Sequence, residues 1–192
     1  MSHCVLFIDG ENFLHKIREV LKAEQIDRDR VDLAKINLDG LFTEPLKGFK
    51  IKRKIFYVSR LHFHPETKEK SEELIKFQRS LRNTLANQGF EFVIAGNVRA
   101  QKVGDKVVFR EKGVDVKIAV DLVSFASKKI LDCAILCSSD SDLQPAVAEL
   151  RERKVKIVYL GFEASPNKGL SYTTNRTILL RNPEVLAACP KK

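Results

Sequence analysis

Residues 133–143 read C-A-I-L-C-S-S-D-S-D-L. Residues 133–136 are apolar at successive rather than alternate positions, the pattern of a strand covered on both faces. The run leads into two aspartates among three serines, and an apolar helical pattern resumes at Leu143. A connecting turn has no need of two carboxylates carried straight out of a core. A metal or phosphate site does.

The same succession of apolar run and helical stripe recurs on both sides. Residues 4–8 (C-V-L-F-I) end at Asp9-Gly10, and Phe13, Ile17, Val20 and Leu21 then fall at helical spacing over residues 12–23. A short helix is expected within 31–46, a second strand over 50–58, a long polar helix over 65–88 stopped by Gly89, and a third strand over 90–95. Residues 97–113 hold two strand-like arms around Gly104-Asp105 and read as a basic β-hairpin. A helix over 114–128, a fourth strand over 132–137, a helix over 143–153 and a fifth strand over 155–160 follow. Turn signals at 166–169 and a short run, T-I-L-L at 177–180, close the pattern. Continuous apolar strands alternating with helices predict an α/β fold with a mostly parallel sheet between two helical layers. With no repeat or linker, residues 1–192 read as a single domain, with a motif-bearing core of about 4–161 and a tail of 162–192.

No apolar stretch approaches the ~20 residues of a membrane span, and residues 4–8 are too short for the core of a signal peptide. The expectation is a cytoplasmic protein without membrane association. Cys133 and Cys137 share a strand face but stand roughly 13 Å apart at ~3.3 Å per residue, too far for a shared ion or bond; the cysteines read as reduced core thiols. Lys plus Arg number 34 against 25 Asp plus Glu, a net charge of +9, which suits a protein that meets polyanions.

In doubly wound sheets ligands bind beyond the carboxyl ends of the strands, where strand order reverses. Asp9 ends the first strand and Asp140 follows the fourth, so both face that crevice if these strands are neighbours. Asp115 opens the helix before the fourth strand, and Ile118, Ala119, Leu122 and Ala126 fix where it points. Carboxylates so close in a cleft need raised pKa values or a cation, and a hard divalent cation with oxygen ligands, Mg²⁺ or Mn²⁺, satisfies them. Each has a plainer reading: Asp9 as a turn residue, Asp115 as a helix N-terminal charge, Asp142 as an N-cap. Asp140 leaves a buried strand with no structural task of its own. Asp121 lies on another face of its helix, where a structural role is the simpler assignment.

F-I-D-G-E-N at residues 7–12, K-G-V-D-V-K-I-A-V-D at 112–121 and S-S-D-S-D at 138–142 resemble, in order and spacing, the three motifs of the NYN domain, the PIN-like nucleases of the LabA and DUF88 group. The resemblance spans about residues 5–160. It implies a PIN-like three-layer α/β/α fold with a five- or six-stranded parallel sheet, and metal-dependent phosphodiester cleavage, with endoribonuclease the expected class. It casts Asp9, Asp115 and Asp140 as ligands of one or two Mg²⁺ or Mn²⁺ ions and Asp142 as a further member. Asn12 would orient the site or a phosphate, and Ser138, Ser139 and Ser141 would supply donors around it. Ser139 and Leu143 stand where the family often has glycine and an aromatic residue, which leaves the carboxylates untouched.

RNA is the expected partner, and a monomer or homodimer the expected state. A basic path would run over Arg60, Arg99, Lys102, Lys106, Arg110 and Lys112, with Lys112 nearest Asp115 as the preferred phosphate contact. Phe109 or Tyr57 would stack on a base. His62 and His64 read as solvated loop residues. The competing reading is a non-catalytic RNA- or protein-binding regulatory module that keeps the acidic pocket. A haloacid-dehalogenase-type phosphatase requires an aspartate two positions after Asp9, where Glu11 stands. A dinucleotide-binding domain requires a G-x-G-x-x-G that is absent.

Overall fold

The structure, a computed structural model, describes residues 3–63, 68–103 and 106–192, with the side chains of 99–111 outside that description. Its strands are β1 (Cys4–Asp9), β2 (Ile51–Arg60), β3 (Glu91–Val103), β4 (Lys106–Lys112), β5 (Cys133–Cys137), β6 (Lys156–Phe162) and β7 (Arg176–Leu180). The helices are α1 (Gly10–Ala23), α2 (Leu38–Thr43), α3 (Lys68–Asn87), α4 (Val114–Ser127), α5 (Gln144–Glu152), α6 (Lys168–Thr173) and α7 (Asn182–Ala187). The strands form one sheet in the order β4-β3-β2-β1-β5-β6-β7. Six run parallel, and β4 pairs antiparallel with β3 at the edge.

The central strands alternate between two cores. Leu6 and Ile8 of β1, with Ile135 and Cys137 of β5, face α1, α2, α3 and α7. Val5 and Phe7, with Ala134 and Leu136, face α4, α5 and α6. Burial on both sides explains why β1 and β5 are apolar at every position. Each fully buried large side chain contributes about 1.5–3 kcal/mol, so these strands make a stiff floor for whatever stands at their ends.

β1 and β5 are neighbours, with Ile8 opposite Cys137. Asp9 and Ser138 are therefore the next pair beyond the ladder. The chain leaves β1 into α1 on one face and, beyond residues 138–143, enters α5 on the other, which opens a crevice between them.

The structure departs from the sequence reading in several places. Residues 177–180, read only as a short run, lie in β7 (Arg176–Leu180), the sixth parallel strand of the five or six expected; its half-exposed edge position removes the continuous apolar run that marks the inner strands. Within 31–46 the single short helix is replaced by a 3-10 turn at Leu33–Lys35 and by α2, because Asp32 and Asn37 each cap a new start through a backbone N–H. The third strand and the first hairpin arm are one strand, β3, which passes through Gly96 at φ 70°. There a Cβ would collide with the Lys112 carbonyl oxygen, so only glycine lets β3 and the end of β4 approach so closely. The turn at 104–105, and the side chains that would make this pair a basic insertion, lie outside the described residues. The four cysteines are free and buried. No helix among the described residues is long and apolar enough to cross a membrane.

Candidate metal centre

Asp9 closes β1 and caps α1, its Oδ1 accepting the Asn12 N–H at 3.1 Å. Gly10 permits the abrupt change from strand to helix, since a Cβ there would strike the Phe56 ring and the Tyr57 carbonyl. Asp9 Oδ2 accepts from the Ser138 hydroxyl at 3.3 Å. The carboxyl is 7% exposed, and burial pushes its pKa from the ordinary 3.8 up to about 6. The bonds from Asn12 and Ser138 oppose that rise, while Asp140 and Glu11 add to it. Two weak donors do not replace the lost hydration of a carboxylate.

The loop after β5 is held by side chains rather than by a ladder. Asn12 Oδ1 accepts the Ser139 N–H at 3.0 Å, and Asn167 Nδ2 donates to the Ser139 carbonyl at 2.8 Å. Ser138 Oγ accepts the Asp140 N–H at 3.1 Å, so one hydroxyl joins Asp140 to Asp9. Asp140 Oδ1 then accepts the Asp142 N–H at 2.9 Å and caps the 3-10 turn Ser141–Leu143. Asp140 thus has a structural task that the sequence did not disclose, whereas α5 starts from Leu143 with no side-chain cap, from Asp142 or any other residue. A short aspartate two residues before a free N–H makes that turn spontaneously.

Asp115 arrives from α4, whose buried stripe Val114, Ile118, Leu122 and Ala126 seats it on the sheet. Gly113, at φ 96°, turns the chain from β4 into the helix. One carboxylate oxygen from each of Asp115, Asp140 and Asp142 lies within 4.8 Å of the others; the first two groups are half-buried and the third exposed. Asp115 and Asp140 share with Asp9, Glu11, Asn12, His15, Lys112, Gly113 and Val116 an open cleft of about 510 Å³. Among the described residues none of the four aspartates has an ion-pair partner. Hard oxygen donors gathered without a counter-charge suit Mg²⁺ or Mn²⁺, and sulfur or imidazole ligands to favour a softer metal do not enter the cluster.

The sequence named Asp9, Asp115 and Asp140 as ligands with Asp142 behind them; the tight group is Asp115, Asp140 and Asp142, and Asp9 lies in the same cleft, buried and hydrogen-bonded. Asn12 and Ser138 act by organising the floor, and Ser139 is held through its backbone. Ser141 is exposed and lines a different cleft, beside Asp142. Lys112 lines the main cleft. The side chains of Arg99, Lys102, Lys106, Phe109 and Arg110, and all of His64, lie outside the described residues. Tyr57 is fully buried and gives its hydroxyl to Asp121 at 3.0 Å, so it cannot stack on a base. His62 sits against Asn97 at 3.3 Å and does not line the cleft. Glu11, His15 and Asn167 escaped the sequence reading. The four-residue spacing of Glu11 and His15, one helical turn on a polar face, was the available signal; Asn167 carried none, because its partner is 28 residues away.

The family model for the NYN domain matches residues 3–181. That match extends past residue 160 and takes in β7. The chain is also similar to a crystal structure of a protein of unknown function from Vibrio parahaemolyticus, at 16% identity and a TM-score of 0.63, with 93% of each chain covered. At that identity the likeness concerns the fold, and it agrees with a PIN-like α/β arrangement of six parallel strands flanked by helices. No curated protein matches the chain.

Proposed function

Since this chain belongs to the NYN domain family, we propose that it is a metal-dependent ribonuclease that hydrolyses single-stranded RNA at the acidic cleft. The observation that carries this reading is the group Asp115, Asp140 and Asp142, with oxygens within 4.8 Å, at the switch point of the sheet and beside the buried Asp9. In a chain of net charge +9, an acidic pocket repels the polyanion that the rest of the surface attracts. A cation in the pocket resolves that conflict.

Asp115, Asp140 and Asp142 would hold Mg²⁺ or Mn²⁺, with the Asp9 carboxyl in the floor of the same cleft. The ion, when bound, supplies Lewis acidity and charge neutralisation at the phosphoryl group. Asn12 and Ser138 tie Asp9 to the loop that carries Asp140, through the Ser139 and Asp140 backbone amides. Lys112 binds a phosphate oxygen of the substrate at the mouth of the cleft. No nucleophilic side chain is required.

The test is cleavage of an end-labelled single-stranded RNA in Mn²⁺, in Mg²⁺ and in EDTA by the wild type, Asp9→Asn and Asp140→Asn. The expected result is cutting in metal alone that is lost in both variants. Equal cutting by wild type and variants would mark a contaminant. Binding without cutting would make the chain a regulatory RNA-binding module.

A further inference from the structure

A second open cleft, of about 580 Å³, borders the aspartate group at Asp142 and is lined by Ser141, Asp142, Gln144, Pro145, Ala148, Arg151 and Thr173. Asp142 is common to this cleft and to the cluster, whereas Asp115 and Asp140 are common to the cluster and to the first cleft. Their oxygens lie within 4.8 Å of one another, so both clefts border the same group of carboxylates. Each volume suits a ligand of nucleotide size. Ser141, Asp142, Pro145, Ala148 and Arg151 are exposed, so the second cleft is open along its length.

The groups here differ from those of the cluster. Ser141 offers a hydroxyl, Gln144 an amide and Arg151 a guanidinium, which suit phosphate oxygens and base edges. Arg151 Nη1 donates to the Thr173 carbonyl at a long 3.3 Å. Among the described residues, neither Arg151 nor Lys112 forms an ion pair with an acidic side chain. Lys112 in the first cleft and Arg151 in the second thus each bring a positive charge that no acidic side chain pairs among the described residues. A ligand that ends at the centre needs only one of them; a polyanion that crosses it needs both.

We infer that the second cleft is the other half of a polynucleotide track, in which Gln144 and Arg151 hold the nucleotide across the cut from the one held by Lys112. This rests on the proposed function in taking RNA as the ligand, and it adds that the strand is gripped by its middle. An internal bond of a strand without ends is then as accessible as one in a linear chain.

The experiment is fluorescence anisotropy of a labelled twelve-nucleotide single-stranded RNA in Ca²⁺, across a salt series, with the wild type, Lys112→Ala, Arg151→Ala and Arg151→Lys. A cleavage arm in Mn²⁺ uses linear and circular single-stranded RNA. The expected result is a loss of about five- to tenfold in affinity for each alanine variant, a log–log salt slope shallower by about 0.7 for each contact, and substantial recovery in Arg151→Lys. Circular RNA should be cut about as fast as linear RNA. Wild-type affinity and slope in Arg151→Ala, or failure of Arg151→Lys to recover, would overturn the track, as would a circular RNA left intact while linear RNA is degraded. A wild type that cuts nothing while both alanine variants bind weakly keeps the track and ends the nuclease reading. A wild type that binds no RNA ends both.

Discussion

Helix α4 carries one aspartate into each of two regions that treat acidic groups in opposite ways. On the flank where α4 packs against β2, Asp121 and Glu91 both have partners. Asp121 accepts from the Tyr57 hydroxyl at 3.0 Å and pairs with Lys117. Beside it Glu91 holds Arg53 through two bonds of 2.6 and 2.7 Å, with the guanidinium 4.8 Å from the centre of the Phe125 ring. At the carboxyl ends of β1 and β5, by contrast, Asp115, Asp140 and Asp142 gather oxygens within 4.8 Å of one another and Asp9 lies in the same cleft as the first two, with no ion pair to any of the four among the described residues. Matched charge in the first region builds structure. Unmatched charge in the second costs stability, and such a cost is retained where a ligand restores the balance.

Neutralising one acid in each region is the sharpest way to break that contrast. Asp140→Asn or Asp115→Asn should lower metal-dependent RNA cleavage by about 10²–10³-fold, the scale on which a single charge-stabilising group acts. Asp121→Asn should stay within about threefold of the wild type in the same assay. If Asp121→Asn were as damaging as the others, the division between the regions would collapse.

The next effect concerns pH. Burial lifts Asp9 to about 6, so between about pH 4 and 6 the folded state binds more protons than the unfolded one, and stability falls as pH rises through that window. The gap from 3.8 to about 6 corresponds to about 3 kcal/mol at neutral pH. Asp9→Asn should flatten that decline in urea titrations from pH 4 to 7. Added Mn²⁺ should raise the melting temperature more at pH 7 than at pH 5, since it requires the ionised carboxylate. A wild type equally stable at pH 4.5 and 7 would contradict the burial cost assigned to Asp9.

Stability should then separate the two α4 residues. Asp121→Ala leaves the buried Tyr57 hydroxyl without its acceptor and should destabilise the fold by about 1–3 kcal/mol. Asp115→Asn removes repulsion and breaks no ion pair, so it should stabilise the metal-free protein by about 0.5–2 kcal/mol. Chemical denaturation of the two variants side by side reads both signs.

Much of the fold was legible locally. Runs such as 133–137 and 4–8 are apolar at every position because both sheet faces are covered, and that burial leaves a one-dimensional trace. The elements that went unread lack one. α6 and α7 are six residues each, too short for a helical period to declare itself, and β7 is half exposed at an edge. The turn through Asp140 was missed because an aspartate that bonds a backbone N–H two residues on looks, in sequence, like one that does not.

The sequence alone determined which carboxylates the chain owns, that two of them follow buried strands, and that the sheet is parallel. Whether those strands are neighbours depends on pairings between residues 129 positions apart, such as Cys4 with Cys133. Such pairings follow from the packing of two whole core layers and from no local pattern. Tertiary structure therefore decided that Asp115, Asp140 and Asp142 converge while Asp121 is tied to Tyr57, that Tyr57 is buried rather than offered to a base, and that Arg151 lines a second cleft bordered by Asp142. The physical reason is range: periodicity reports how each residue is covered, whereas a site is defined by which distant residues the folded sheet brings within a few ångströms.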